Sequence, residues 1–220
     1  MLKIIFFVAL FCAFFGIAAG ATVFYAYAKD APTLSDAKLR DPLSSKLLDK
    51  DGKVFAEIGT ERRDYIEYKD IPKSLEDAIL STEDARFYEH DGLDPIRLGG
   101  AVIANVKDGF GAEGASTLSQ QIIKMSYLDY KNKTLGRKAQ EAYLALQLEE
   151  KYSKHDIIEI YVNKVYMSDR VHGMETASEH YFGKNLKDLN LAETALLAGM
   201  PQSPNNYNPY DHPDLAKKTP

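Results

Sequence analysis

A mainly α-helical domain with a small β-hairpin near its start, preceded by one apolar helix, is the fold class that this sequence predicts, and three observations predict it. Ile4 to Ala28 is an uncharged run of about 25 residues rich in Phe, Ala, Ile and Val. Asp51-Gly52 stands between the apolar segments Leu47-Leu48 and Val54 to Ile58, a hairpin signal. Beyond Asp70, apolar residues recur at helical spacing between capping residues, until the proline-dense stretch 201–209.

The apolar run is long enough to cross a hydrocarbon core and is read as an uncleaved anchor. A cleavable signal ending near Ala18-Ala19-Gly20-Ala21 is the alternative. Lys3 and Lys29 flank the run on opposite sides, so charge does not orient it. The one cysteine, Cys12, lies inside it, and the rest of the chain offers no disulfide. A net charge of -5 argues against general nucleic-acid binding, so an anionic ligand must be met by a local cluster of cations. The chain divides into residues 1–28, tip and transmembrane anchor; 29–69, polar stalk and hairpin, with Tyr65-Ile66-Glu67-Tyr68 as a further strand; and 70–220, one helical domain.

The stretch Leu75 to Gly92 places an acid where helix periodicity asks for an apolar residue. Leu75, Ile79, Glu83 and Phe87 follow at i, i+4 steps, so a helix reaching Gly92 at its C′ position carries Glu83 on its inward face. Asp84, Arg86 and Glu89 step off that face as solvated charges. A carboxylate held partly out of water is a competent proton acceptor near neutral pH, which suits a general base. The bland reading of Glu83 is a rim residue paired with a cation.

Asp94-Pro95 opens a second helix with Ile96, Val102 and Val106 as core. The glycine-rich 109–115 follows, a loop closing over substrate or a plain connector. Thr117 and Gln120 have capping-box spacing, Ser116 is a second cap, and a helix start of this kind attracts phosphate, with Lys124 one turn deeper. A helix over about 134–152 shows Leu135, Ala139, Ala142 and Leu146 on its apolar side. Arg137, Lys138 and Glu141 meet on one face of it, as a surface ion pair or as an anion site. Ser153 caps a helix whose Ile157, Ile160, Tyr161 and Val165 read as core and whose Glu159 and Asn163 fix neighbouring backbone. A short helix from Val171 to Phe182 and one capped by Asn190 with Glu193 complete the bundle.

Four segments resemble, in order, signatures of the peptidoglycan glycosyltransferases, glycosyltransferase family 51, the lysozyme-like transglycosylase domains of class A penicillin-binding proteins and monofunctional transglycosylases. They are Glu83-Asp84-Ala85-Arg86-Phe87-Tyr88-Glu89-His90-Asp91-Gly92, Gly114-Ala115-Ser116-Thr117-Leu118-Ser119-Gln120-Gln121, Arg137-Lys138-Ala139-Gln140-Glu141 and Lys154 to Asn163. The resemblance implies a lysozyme-like fold and polymerisation of lipid II into β-1,4-linked strands with release of undecaprenyl diphosphate. It implies Glu83 and Glu141 as catalytic residues, with Glu83 as base in an inverting transfer. It places Asp84, Phe87, His90, Ser116, Thr117, Gln120, Gln121, Lys124, Arg137 and Lys138 on the substrate.

It further implies a cytoplasmic N-terminus, a catalytic domain outside the cytoplasmic membrane, and other cell-wall synthesis proteins as partners. A divalent cation, Mg or Mn, at the diphosphate stays open, since no Asp-x-Asp or His-rich cluster announces a dedicated site. Relatives carry a fifth signature past the proline-rich loop, whereas this chain ends at Lys217-Lys218-Thr219-Pro220, so a domain truncated at its C-terminus, with no transpeptidase domain, is expected. Two rival readings remain: a hydrolase of finished peptidoglycan, since glycosidases also use two carboxylates, and an inactive membrane-anchored scaffold.

Overall fold

The computed structural model describes residues 2–41, 45–58, 64–108, 114–128 and 134–218. The chain opens with α1 (Leu2–Ala28), one unbroken helix of 27 residues. Phe6, Phe7, Phe11, Phe14 and Phe15 all stand exposed on it. Among the described residues no helix is long and apolar enough to cross a membrane. Six side chains within α1 (Leu2, Ile5, Ala9, Cys12, Ala13 and Ile17) lie outside the described residues. The expected anchor is thus present as one helix.

After the short α2 (Asp36–Leu39), β1 (Ser45–Leu48) and β2 (Val54–Ile58) pair antiparallel, with Ser45 opposite Ile58 and an irregularity between Leu47 and Leu48. The Asp49 carboxylate accepts the N–H groups of Asp51 and Lys53, both at 2.9 Å, and Gly52 takes φ +78°, so the turn is made by an Asx residue and a glycine. Residues 65–68 form no strand. They are held against a later helix by side chains instead: Asn163 Oδ1 and Nδ2 bond both main-chain groups of Ile66 at 2.8 Å, and Glu159 accepts the Tyr68 N–H at 2.7 Å.

The first helix of the core, α3 (Lys73–Glu83), stops earlier than the sequence periodicity suggests, with Asp84 leaving at φ −156°, ψ 67°. Phe87 reaches the core through a 3₁₀ turn, Phe87–Glu89, and not by extending the Leu75–Ile79 stripe. The cause is tertiary: Asp84 turns inward to satisfy partners elsewhere in the fold, and those bonds outweigh the propensity to continue a helix. Gly92 is accordingly no helix cap. It sits at φ +92°, where an added Cβ would lie 2.7 Å from the Ala145 carbonyl oxygen.

Six helices follow: α4 (Pro95–Asp108), α5 (Leu118–Tyr127), α6 (Leu135–Lys151), α7 (Lys154–Lys164), α8 (Met174–Phe182) and α9 (Leu191–Gly199), then a last turn, α10 (Pro213–Ala216). Thr117 and Thr134 cap α5 and α6, while Ser153 and Asn190 form capping boxes on α7 and α9. α5 packs on α6 and α7, α3 on α9, and α1 on α6, around a core that includes Leu75, Ile79, Ile122, Leu144, Leu148, Ile157 and Tyr161.

Three expectations change here. Ile96 of α4 is exposed, not core, and the side chains of Val102 and Val106 lie outside the described residues. α6 turns a different face inward: Leu135 is 85% exposed, whereas Glu141, Leu144, Ala145 and Leu148 are the buried stripe. α8 begins at Met174, because Ser168, Asp169 and Arg170 all take left-handed conformations and turn the chain ahead of it. The glycine-rich 109–113 is outside the described residues.

Gly92→Ala combines a positive φ with a clash against main chain that cannot swing away. It is expected to lower stability by about 2 kcal/mol or more, read as a lower urea midpoint with an unchanged slope.

Candidate active site

Glu83, the last residue of α3, is half-buried and is held from two directions. Gln121 Nε2 on α5 donates to its Oε2 at 2.7 Å, and the Arg97 guanidinium on α4 donates to its main-chain carbonyl. α3 has no basic residue in its last turn, so Arg97 supplies the cation that a helix C-terminus favours. Arg97 is itself placed by Asp94, whose Oδ1 caps α4 by accepting the Ile96 and Arg97 N–H groups at 2.9 and 3.0 Å. Asp94 Oδ2 also lies 3.3 Å from Arg86 Nε. Sequence reasoning missed Arg97. Its spacing from Asp94 marks the first turn of α4, but nothing local says that this turn meets the end of α3.

Directly behind Glu83, Asp84 is 0% exposed, not the solvated charge expected from its position off the stripe. Its oxygens lie 3.0 and 3.1 Å from His90 Nε2, and Oδ2 accepts the Leu118 N–H at 3.0 Å. Because the Gly92 N–H donates to His90 Nδ1 at 3.2 Å, the ring proton sits on Nε2 and points at Asp84. Thr117 Oγ1 donates to the Gly92 carbonyl at 2.7 Å while it and Gln120 complete the capping box of α5. Phe87 is buried beneath Lys154, whose Nζ stands 4.2 Å from the ring centroid and 2.6 Å from the Glu149 carboxylate. Ser119 Oγ donates to that carboxylate at 2.6 Å. Asp84, Phe87, His90, Thr117 and Gln120 therefore lie under the site, bonded to protein, and not on its open face.

The open face belongs to Ser116, Gln121, Lys124, Arg137 and Lys138, which are all partly accessible. Lys138 Nζ donates to Ser116 Oγ at 2.9 Å and bonds Glu141; Arg137 lies 3.2 Å from the other Glu141 oxygen. Glu141 is 1% exposed, so one buried acid aligns two cations. Lys124 has no hydrogen-bond or ion-pair partner among the described residues. Nor do any three His, Cys, Asp or Glu side chains among them converge as metal ligands.

A helical domain in which a pinned carboxylate on α3 accompanies a pair of cations on α6 has clear relatives. The sequence model of the Transglycosylase family matches residues 51–219. Penicillin-binding protein 1A/1B of Bacillus subtilis (strain 168) is 50% identical over 204 residues, 92% of this chain and 22% of that protein. Penicillin-binding protein 1A of Streptococcus oralis is 49% identical over 201 residues, 90% of this chain and 32% of its own. A crystal structure of penicillin-binding protein 1A from Haemophilus influenzae aligns with 81% of this chain and 17% of its own, at 23% identity and a TM-score of 0.44. The chain belongs to the transglycosylase family. It spans 22% and 32% of the length of the two curated relatives named here.

Burial pushes the Asp94 carboxyl up, but the Arg97 N–H, the Arg86 charge and the Ile96 N–H more than offset it, leaving the group below its ordinary 3.8. A depressed folded value means stability that is complete above the unfolded value and lost as pH falls through the folded one. Asp94→Asn should therefore lower the melting temperature at neutral pH, and its melting temperature should fall less steeply than that of the native chain below about pH 4. Parallel acid limbs in the two proteins would show that Asp94 is not tied as described.

Proposed function

We propose that this chain is a peptidoglycan glycosyltransferase domain that polymerises lipid II, and its growing lipid-linked strand, into β-1,4-linked glycan with inversion and release of undecaprenyl diphosphate. The observation that carries the reading is the fixing of Glu83 by neutral Gln121 at the carboxylate and by Arg97 at the main chain only. A carboxylate so held keeps its geometry and remains free to accept a proton. Glu83 takes the proton of the acceptor's sugar hydroxyl as that oxygen attacks the donor's anomeric carbon. Arg137 and Lys138, aligned by Glu141, together with Lys124 of α5, receive the charge that builds on the departing diphosphate. A divalent cation enters this picture only as a companion of the diphosphate.

Two cations around one buried acid suit a charged leaving group better than the neutral sugar that a hydrolase would expel. The exposed phenylalanines of α1 are read as the part seated in the cytoplasmic membrane, with the N-terminus cytoplasmic and the domain outside. Other cell-wall synthesis proteins are proposed as partners on the same footing.

Glu83→Gln keeps the shape and the Gln121 contact but cannot take a proton, so strand synthesis from lipid II should vanish while unfolding and lipid II binding stay near native. Near-normal turnover would remove Glu83 from the base role. Supplying finished glycan to the native chain should yield no cleaved fragments.

Arg137→Ala should slow turnover more than tenfold, about 1.5–3 kcal/mol for a lost charge-assisted contact, and Arg137→Lys should recover only part of it. Changes below about twofold would leave Arg137 as a mere ion-pair partner of Glu141.

A further inference from the structure

The first turn of α6 carries Arg137 and Lys138, and by local standards it is poorly made. Gly136 stands in it, the residue that costs a helix most after proline, and no acid meets the positive helix end. Arg137 and Lys138 add charge of the wrong sign there, and Leu135, 85% exposed, gives the turn no packing of its own. Within the helical domain the turn is held by the Thr134 cap on the Arg137 N–H (3.2 Å) and by the bonds of Lys138 to Ser116 and Glu141. Further support comes from α1. The Tyr27 ring lies over Gly136: a Cβ there would stand 2.9 Å from its Cδ1 and 3.0 Å from its Cε1, so glycine is the residue that admits the ring. Gln140, one turn on, donates to the Tyr27 carbonyl at 3.4 Å. The chain beyond Tyr27 is tied to the last residues of α5, α6 and α7 and keeps the ring in place. The Tyr127 hydroxyl accepts the Ser35 N–H at 2.7 Å and donates to the Ser35 carbonyl at 2.8 Å, Lys151 pairs with Asp36 at 2.8 Å, and Lys164 donates to the Lys38 carbonyl at 3.1 Å.

We propose that Tyr27 is a positioning residue for Arg137 and Lys138: its ring, seated on Gly136, keeps the first turn of α6 wound and the two cations on Glu141. The inference rests on the reading of those cations as the leaving-group site. Glu141, 1% exposed, is fixed a turn deeper, so unwinding of the first turn would part the cations from the acid that aligns them. The competing account of an exposed tyrosine at the end of α1 is a seat at the headgroup level of a membrane, where such rings gather. That account gives no reason for the glycine opposite, whereas the approach of the ring does.

The test uses the full chain on lipid II in detergent. Tyr27→Ala should lower kcat about fivefold or more, and Tyr27→Phe, which keeps the ring edge, should recover most of the loss. Amide exchange at the Lys138 N–H, which bonds the Thr134 carbonyl at 3.1 Å, should quicken in Tyr27→Ala while exchange within α7 stays as it was. Gly136→Ala supplies the sign. In the native chain it should slow turnover, although alanine is the better helix former; added to Tyr27→Ala it should restore turnover, because the space for its Cβ is then open. A Gly136→Ala effect no more favourable beside Tyr27→Ala than in the native chain overturns the proposal and leaves the ring to the membrane interface. A Tyr27→Ala kcat within about twofold of native overturns it as well. If Tyr27→Ala does not fold, Gly136→Ala alone decides: exchange at the Lys138 N–H must quicken, and unchanged or slower exchange overturns the proposal. Arg137→Ala run alongside separates the two readings. A change below about twofold in that variant removes the leaving-group site and the role of Tyr27 with it, whereas a slowed Arg137→Ala beside an unaffected Tyr27→Ala removes only Tyr27.

Discussion

The burial of the Asp84 carboxylate is the constraint on which the rest of the site depends. A charge taken fully out of water is tolerated only where donors replace the water, and here the donors come from two distant places, the His90 ring and the Leu118 N–H at the start of α5. Satisfying them takes the chain out of helix at Asp84, which leaves Glu83 as the last residue of α3, half-buried beside Gln121. The same bond sets the start of α5, and hence the position from which Gln121 reaches Glu83 and Ser116 reaches Lys138. One buried acid thus fixes Glu83 and the start of α5 relative to each other.

The cations divide by task. Arg86, Arg97 and Lys154 are consumed in structure, Arg86 as an ion pair with Asp94, Arg97 on the Glu83 carbonyl and Lys154 on Glu149. Arg137 and Lys138 share a single buried acid and stay partly accessible. A chain with net charge -5 can therefore still carry a local pair of accessible cations, because its excess of acids lies elsewhere.

The elements were legible where the signal is local. Capping residues at Thr117, Ser153 and Asn190, the proline after Asp94 and the Asp-Gly turn each act within a few residues of themselves, and the structure places caps and turn there. The end of α3 was not legible, because the bonds that stop it come from residues 90 and 118. The buried face of α6 was misread for a related reason: Glu141 occupies it, and a periodicity that seeks apolar residues steps over an acid and settles on Leu135 and Leu146, which are exposed. The grouping of site residues came from the resemblance of four short segments. That resemblance did not separate the residues on the open face from those bonded beneath it, since a short motif says nothing of which way a side chain turns.

The seam between α1 and α6 has a mechanical meaning. Gly136 has no side chain, and the Tyr27 ring fills the space, so closely that a Cβ there would come within 2.9 Å of it. The Gln140 side chain donates to the Tyr27 carbonyl one turn further on. Arg137 and Lys138 follow Gly136 immediately, on the same turn of α6. A helix of 27 residues therefore ends against the very turn that carries both cations, so that a change in its tilt bears first on the height at which the two charges stand.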